Sequence, residues 1–198
     1  MKTLKESILS DIDVTLSDKN TNAQIRRIIS KFLKDNFKGR CTISNTPNSD
    51  GLFEVSSKYN ISTVKSNITK LTNDLFIWTN IERNFECVSC PSLTSLKGGT
   101  KYVSGKYSCI NCPISSLEGA PDEVGGDFNC SYCGNITTLE GAPKKVGGNF
   151  NCMDCGKTFY KLSVMLKSRV KGHIYCKGND DDIDPDTLAR LGLKYDDI

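Results

Sequence analysis

The chain has 198 residues, of which 25% are charged, and a formal net charge of +3 at pH 7. This length is enough to bury a sizeable core within one elongated domain. The basic residues form no continuous block, which argues against nucleic-acid binding, and no apolar run approaches the roughly 20 residues that span a bilayer.

Residues 1–54 are predicted to form a helical N-terminal cap region. A short amphipathic helix is expected within residues 1–20, and a stronger helix from Ala23 to Asn36, capped by Thr21 or Asn22. The stronger helix carries an apolar stripe at helical spacing, made of Ile25, Ile28, Ile29, Phe32 and Leu33. The stripe favours packing over the open end of a core, and docking to a partner is the alternative.

Two further features precede the repeats. Strands are predicted at residues 40–44 and 52–56, on either side of a turn at residues 47–51. The first residues, MKTLKESILSDID, contain no long apolar stretch and no small-residue cleavage site. We therefore expect no signal peptide and a reducing compartment, in which disulfides are disfavoured.

Residues 55–178 repeat one pattern. The aromatic residues Phe85, Tyr107, Phe128 and Phe150 lie 22, 21 and 22 residues apart, a period typical of solenoids. Each aromatic residue begins an aromatic-x-Cys triplet, which predicts a short strand with one buried face. A second Cys, an apolar-x-x-Leu pair and Gly- and Pro-rich turns follow, so the return path need not be helical.

The same frame extends to both ends of the repeats. Val55-x-x-x-Tyr59-x-Ile61 is assigned to the first coil, with Tyr59 in the aromatic place, and Val170-x-Gly172-x-Ile174-x-Cys176 to the last. Residues 75–78 are placed in a lengthened first coil. The pattern therefore predicts about six coils, the first and last atypical, as capping repeats are. Residues 179–198 are predicted to be an acidic C-terminal cap or tail, and helices are expected at residues 161–169 and 186–191.

The order of residues in each coil matches the leucine-rich-repeat pattern L-x-x-L-x-L-x-x-N/C-x-L, with the second Cys in the Asn/Cys place. The predicted fold is therefore an α/β leucine-rich-repeat-like solenoid with helical caps at both ends. The chain also resembles a family of uncharacterised tailed-phage proteins with an LKESIL-like start, here residues 4–9, and repeats of the type F-x-C-S-x-N-x-L-T-S-L-E-G-A-P-K-x-V-G-G. It departs from that family in having Cys where the family usually has Asn.

The resemblance implies a phage origin and a repeat fold, and that family has no established activity. If the chain is a phage protein, the expected location is the cytoplasm of the infected host cell, with association with the virion as a second option.

Four C-x-x-C pairs allow two interpretations. A C-x₂-C-x₁₈-C-x₂-C spacing is typical of zinc ribbons, and the alternative metal ligands are Cys87, Cys90, Cys109, Cys112, Cys130, Cys133, Cys152 and Cys155. Packing of the thiols in the core is favoured, because an aromatic residue precedes and an apolar-x-x-Leu pair follows each pair. A catalytic Cys–His pair is disfavoured, since His173 is expected to point away from the core that Cys176 faces. We expect no catalytic residues and no cofactor.

Strand periodicity sends the residues beside each buried position to the outer face of the shared sheet. The predicted partner-binding residues are Asn84, Glu86, Val88, Lys106, Ser108, Ile110, Asp127, Asn129, Ser131, Tyr132, Asn149, Asn151, Met153, His173 and Tyr175. The sequence thus predicts a non-enzymatic protein–protein interaction module that binds a host or virion protein, with no nucleic acid and no membrane. The alternative is a zinc-binding C-x-x-C protein that contacts nucleic acid, and an enzyme with a Cys nucleophile is a third hypothesis.

Overall fold

A computed structural model describes residues 19–138, 140–155 and 169–175. One helix and twelve short strands follow in order: α1 Lys19–Asn36, β1 Thr42–Ile43, β2 Phe53–Ser57, β3 Ile61–Val64, β4 Phe76–Ile81, β5 Phe85–Val88, β6 Tyr102–Val103, β7 Tyr107–Ile110, β8 Glu123–Val124, β9 Phe128–Asn129, β10 Lys145–Val146, β11 Phe150–Asn151 and β12 Ile174–Tyr175. The predicted helices at residues 186–191, and most of those at 1–20 and 161–169, lie outside the described residues. So do Cys176 and the acidic tail.

The strands form two sheets. Sheet 1 has the order β1-β2-β4-β6-β8-β10 and sheet 2 the order β3-β5-β7-β9-β11-β12. Neighbouring strands are parallel except β1, which is antiparallel to β2. Each coil contributes one strand to each sheet, so the chain winds as a β-solenoid. The six strands of sheet 2 enclose five full turns, where the sequence predicted about six coils.

The strand predicted at each aromatic-x-Cys triplet is confirmed, and it lies in sheet 2. The return path contains a second strand that the sequence analysis did not predict. In sheet 1, Ile81 pairs with Val103, Val103 with Val124, and Val124 with Val146. These apolar side chains are buried and form a second wall of the core.

The first coil has a different frame from the one predicted. Ile61 pairs with Phe85 and Thr63 pairs with Cys87, so Ile61, and not Tyr59, takes the aromatic place. Tyr59 is 52% exposed. The prediction for this coil was therefore wrong by two residues.

The displaced frame has its origin in sheet 1. Val55 pairs with Trp78, and the register then shifts so that Ser57 pairs with Ile81. Because of this irregularity, Ser57 lies next to Ile81. The sequence had predicted Val55 at that position. The prediction placed the aromatic position four residues after a Val, and such a fixed spacing does not account for an extra residue in a bulge.

Helix α1 packs its apolar stripe into the same core as the coils. Its residues Ile25, Ile29 and Leu33 are buried. The ring centroid of Phe32 lies 5.9 Å from that of Phe76, and the Phe37 ring just after the helix lies 5.4 Å from Trp78. Lys19, Thr21 and Asn22 already belong to the described helix, so the predicted cap at Thr21 or Asn22 is wrong.

The aromatic residues of sheet 2 form one continuous stack. Ring centroids lie 5.6 Å apart for Phe85 and Tyr107, 5.4 Å for Tyr107 and Phe128, and 5.0 Å for Phe128 and Phe150, with interplanar angles of 6°, 11° and 11°. All four rings are buried. The Tyr107 hydroxyl is buried with no hydrogen-bond partner among the described residues.

Replacing Tyr107 with Phe is expected to stabilise the protein by about 1 kcal/mol, because it removes a desolvated hydroxyl whose hydrogen bonds to water are not replaced. The measurement is the free energy of unfolding in urea. Phe128→Tyr is the matched control and should be destabilising, since it buries a second hydroxyl in the same stack. A less stable Tyr107→Phe variant would show that the hydroxyl is satisfied.

Gly119 is expected to tolerate no side chain. Its φ is +92°, and a Cβ would lie 2.3 Å from the backbone oxygen of Leu96. Gly119→Ala should therefore lower the free energy of unfolding by more than about 2 kcal/mol, from left-handed strain and a backbone clash. Gly134→Ala is the control, because a Cβ there would meet nothing within 4 Å. Equal stability losses in the two variants would contradict this account.

Candidate functional site on the outward face of sheet 2

The outward face of sheet 2 gathers the predicted partner-binding residues. Glu86, Ser108, Asn129, Asn151 and Tyr175 are in register as one column across five strands. The parallel pairing places equivalent residues of successive coils next to each other, about 4.8 Å apart. Residues that are separated by about 22 positions in the chain therefore become neighbours on one surface.

An apolar column runs beside this polar one. Val64 pairs with Val88, and Val88 with Ile110; hydrogen bonds between the following coils continue the column to Ser131 and Met153. Val64 is 50% exposed, and Val88, Ile110 and Met153 are half-buried. We call the consecutive residues Val64, Val88 and Ile110 the apolar column.

Val64 was not among the predicted binding residues. The predicted frame of the first coil, with Tyr59 in the aromatic place, implied Ser62 at the position that Val64 occupies. A signal was nevertheless present, because Ile61-Ser-Thr-Val64 has the same order of apolar, polar, small and aliphatic residues as Phe85-Glu-Cys-Val88. A direct match of these two four-residue segments, without the spacing from Val55, predicts Val64 at the position of Val88.

Several of the predicted binding residues use their side chains for hydrogen bonds between coils. The side-chain oxygen of Asn84 accepts a hydrogen bond from the backbone N–H of Lys106 at 2.9 Å. Asp127 does the same for Asn149 at 2.8 Å, and Asn149 for His173 at 2.9 Å. Lys106 has no acceptor atom and cannot continue this ladder. The Asn and Asp side chains therefore stabilise the stacking of the turns.

Two other Asn residues stabilise the turn that follows each strand of sheet 2. Asn129 Oδ1 accepts hydrogen bonds from the Ser131 N–H at 3.0 Å and from its hydroxyl at 2.7 Å, and Asn151 Oδ1 accepts one from the Met153 N–H at 3.1 Å. Ser108 and Ser131 are buried. They lie on the predicted face, but little of their surface is left for a partner.

Tyr132 stands over a groove beside the apolar column. Its side chain is 54% exposed, although its backbone is left-handed with φ of 60°, a conformation that disfavours bulky residues. The groove has a volume of about 420 Å³ and is lined by Ser89, Pro91, Asn111, Cys112, Pro113, Tyr132, Gly134 and Asn135. Its walls are uncharged, so it suits a neutral side chain of a partner.

The last strand of sheet 2 carries two exposed rings. His173 and Tyr175 have ring centroids 6.0 Å apart, while Ile174 between them is buried. The outward direction predicted for His173 is therefore confirmed. Cys176 lies outside the described residues, so the expected separation of His173 from its thiol stays a prediction.

The eight cysteines of the C-x-x-C pairs are buried in the core, as the packing interpretation expects. The second Cys of each pair also donates its S–H to the backbone of the preceding coil. Cys133 Sγ lies 2.9 Å from the Cys109 oxygen and Cys155 Sγ 2.8 Å from the Cys130 oxygen, with longer contacts of 3.8 Å from Cys90 to Thr63 and from Cys112 to Cys87. The second Cys of each pair therefore links its coil to the preceding coil by a hydrogen bond.

The core environment favours the protonated form of four of these thiols, Cys87, Cys109, Cys112 and Cys130, whereas the hydrogen bond with Cys109 lowers the pKa of Cys133. Burial raises the pKa of Cys87 and Cys130 well above the usual thiol range and that of Cys112 to about 12. The hydrogen bond with the Cys133 thiol, together with burial, raises the pKa of Cys109. Within the part of the chain that the structure describes, no group of three or more His, Cys, Asp or Glu side chains is arranged to hold a metal ion.

Comparisons with protein-family models, with curated proteins and with solved structures find no match for the chain. No helix within residues 19–138, 140–155 and 169–175 is long and apolar enough to cross a membrane. The fold defines the described part of the chain as a two-sheet parallel β-solenoid. Its function must be inferred from the geometry of its surfaces.

The buried thiols make the stability depend on alkaline pH. In the folded chain the pKa of Cys87, Cys109, Cys112 and Cys130 is raised, whereas in the unfolded chain these four thiols ionise near about 8.5. The stabilisation is therefore complete below about pH 8 and is lost as the pH rises, by up to about 1.4 kcal/mol per pH unit for each thiol. The free energy of unfolding between pH 8 and 9.5, below the main Lys and Tyr titrations, measures this loss.

The control is Cys130→Ala, which should make that pH slope shallower by one thiol. The absolute stability of this variant will also fall, since the substitution leaves a small cavity, but the slope is independent of that loss. A free energy of unfolding that does not change between pH 8 and 9.5 would contradict the burial of the thiols.

Proposed function

We propose that the chain is a non-enzymatic interaction module that binds another protein through the outward face of sheet 2. The observation that supports this proposal is the apolar column, three aliphatic side chains in register on a face that no other described element covers. Among the neighbouring polar side chains, those of Asn129, Ser131 and Asn151 are committed to hydrogen bonds within the solenoid. The binding energy would therefore come from the apolar column and from Tyr132 over its groove.

The rigidity of the face favours this use. The column lies on β-strands whose positions are set by the core, so a partner would pay little to order it. Tyrosine is enriched among the residues that dominate binding energy at interfaces, and Tyr132 is exposed beside the aliphatic residues and the groove. Solenoids commonly present such a face for recognition.

The finer identity belongs to the same proposal. We infer that the coils are leucine-rich-repeat-like, with the second Cys acting as the inter-coil donor that Asn provides in that pattern, and that helix α1 caps the first coil. The hydrogen bonds from Cys133 and Cys155 to the preceding coil support the role proposed for the second Cys. The buried stripe of α1 supports its role as the cap of the first coil. A phage origin, and a host or virion partner, follow only from the sequence resemblance.

The proposal is tested by affinity capture from infected host cells. Val64, Val88 and Ile110 are replaced together with Asp, which should weaken binding of the captured partner at least tenfold, about 1.4 kcal/mol. Tyr102→Asp is the matched control, because Tyr102 is an exposed large side chain in sheet 1 and should leave capture unchanged.

Folding of each variant is checked by circular dichroism and thermal unfolding. If the triple variant unfolds, the milder pair Val64→Asp and Tyr132→Ser replaces it, since both side chains are at least half exposed. A partner that is recovered equally with folded variants of the face would rule out this surface. Stoichiometric zinc in the purified protein, with loss of the fold on chelation, would instead support the C-x-x-C alternative.

A further inference from the structure

The corner between sheets 1 and 2 carries a group of cations at the N-terminal end of the solenoid. Lys38, Arg40, Lys58 and Arg83 are exposed there, together with Tyr59. We call these five residues the basic corner. They come from three separate segments of the chain, which is why the sequence showed no continuous basic block.

Hydrogen bonds to backbone groups hold two of these segments together. The buried Ser57 hydroxyl donates to the Arg40 oxygen at 2.6 Å and accepts from the Tyr59 N–H at 3.0 Å. Lys38 exchanges two backbone hydrogen bonds with Ser62 at 2.7 and 2.9 Å. The segment containing Lys38 and Arg40 is therefore fixed against the turn that contains Lys58 and Tyr59.

The third segment is the equivalent turn of the next coil. The Glu82 N–H donates to the Ser57 oxygen at 2.8 Å, and the Asn84 N–H to Asn60 Oδ1 at 3.2 Å. Arg83 lies between these two attachments, in the turn adjacent to the one that contains Lys58 and Tyr59. In the following coils Gly105, Gly126 and Gly148 continue the column, so the cations and the ring are confined to its first end.

None of the four cations is neutralised by a carboxylate within the described residues. The five ion pairs found there join Lys31 to Asp35, Lys70 to Asp74, Lys97 to Glu118, Lys144 to Asp122, and Lys145 to Glu123. Glu82, the carboxylate on the same turn, takes part in none of them. Unpaired cations at one corner create a local positive potential that favours an anionic partner.

Tyr59 narrows the choice of anion. Its ring lies under the Arg40 guanidinium, 5.7 Å from the carbon to the ring centroid, and its side chain is more than half exposed. An exposed aromatic ring beside an arginine, with further cations on the same and the adjacent turn, provides a surface on which a nucleobase can stack while the cations contact the flanking phosphates. An acidic peptide would use the charges and leave the ring without a role.

We propose that the basic corner binds single-stranded nucleic acid, with Tyr59 stacking on a base and the four cations contacting phosphates. Successive coils are spaced by about 4.8 Å, so the corner spans only two or three nucleotides. The interaction is therefore weak and strongly dependent on salt, and it has no sequence preference. It is separate from the protein-binding face of sheet 2 and does not depend on the function proposed for that face.

The test uses fluorescence anisotropy of the full chain with a labelled oligo(dT) of about 12 nucleotides. At low salt we expect saturable binding, with log K falling against log salt with a slope of about −2 to −3, the value for three or four phosphate contacts on a single strand. Arg40→Gln with Arg83→Gln should reduce affinity at least tenfold and make the slope shallower.

Two further variants separate stacking from charge. Tyr59→Leu should weaken binding by about fivefold or more while leaving the salt slope unchanged, because stacking releases no counterions. Lys144→Gln with Lys145→Gln is the matched control: it removes the same charge from ion-paired positions and should change affinity by less than twofold. Thermal unfolding confirms that each variant is folded.

Three results would overturn the proposal. The first is the absence of saturable oligo(dT) binding at low salt, and the second is an equal loss of affinity in the Lys144 and Lys145 control. The third is a Tyr59→Leu variant that binds as tightly as the unmodified chain while polyglutamate competes as well as oligo(dT). That result would assign the corner to an acidic protein partner.

Discussion

The structure depends on the in-register stacking of parallel coils. Because each coil lies directly over the one before, every residue meets its own equivalents above and below. The flat stack of Phe85, Tyr107, Phe128 and Phe150 is the clearest result, with interplanar angles of no more than 11°. A slip of one residue would exchange the buried and exposed sides of every strand, so the register is strongly specified.

The same stacking explains why cysteine recurs inside. A thiol is small and apolar enough for a dry interior, yet it can donate a weak hydrogen bond to a backbone oxygen. In the positions of Cys133 and Cys155 it reaches the preceding coil at 2.9 and 2.8 Å. The core also raises the pKa of Cys87, Cys109, Cys112 and Cys130, which favours the neutral thiol, whereas zinc requires thiolates. A metal site in this core would have to remove those inter-coil contacts.

The outer surface divides into two regions with different chemistry. Sheet 2 presents the apolar column and Tyr132, while the corner at the first coils presents unpaired cations around Tyr59. The remaining corners are made compact by glycine: a Cβ on Gly147 would lie 2.1 Å from the Gly125 oxygen. Side chains are therefore excluded at such glycine positions, and Gly105, Gly126 and Gly148 continue the column of Arg83 in the later coils.

Much of the architecture was predictable from the sequence, because periodicity is a property of the covalent chain. The spacing of Phe85, Tyr107, Phe128 and Phe150 predicted parallel coils, and the apolar stripe of residues 25–33 predicted a helix packed on a core. Burial of the C-x-x-C cysteines followed from the residues around them. These signals repeat from one coil to the next or from one helical turn to the next, so they can be found without information about distant contacts.

The tertiary structure alone decided the rest. The bulge between Val55 and Ser57 set the frame of the first coil and so brought Val64 into the apolar column. The two-residue strands of sheet 1 are too short to carry a pattern of their own. The roles of Asn84, Asp127 and Asn149 depend on the N–H group that each meets in the next coil. The basic corner exists only because backbone hydrogen bonds join segments that are far apart in the chain, and such long-range pairing is not encoded in any local spacing.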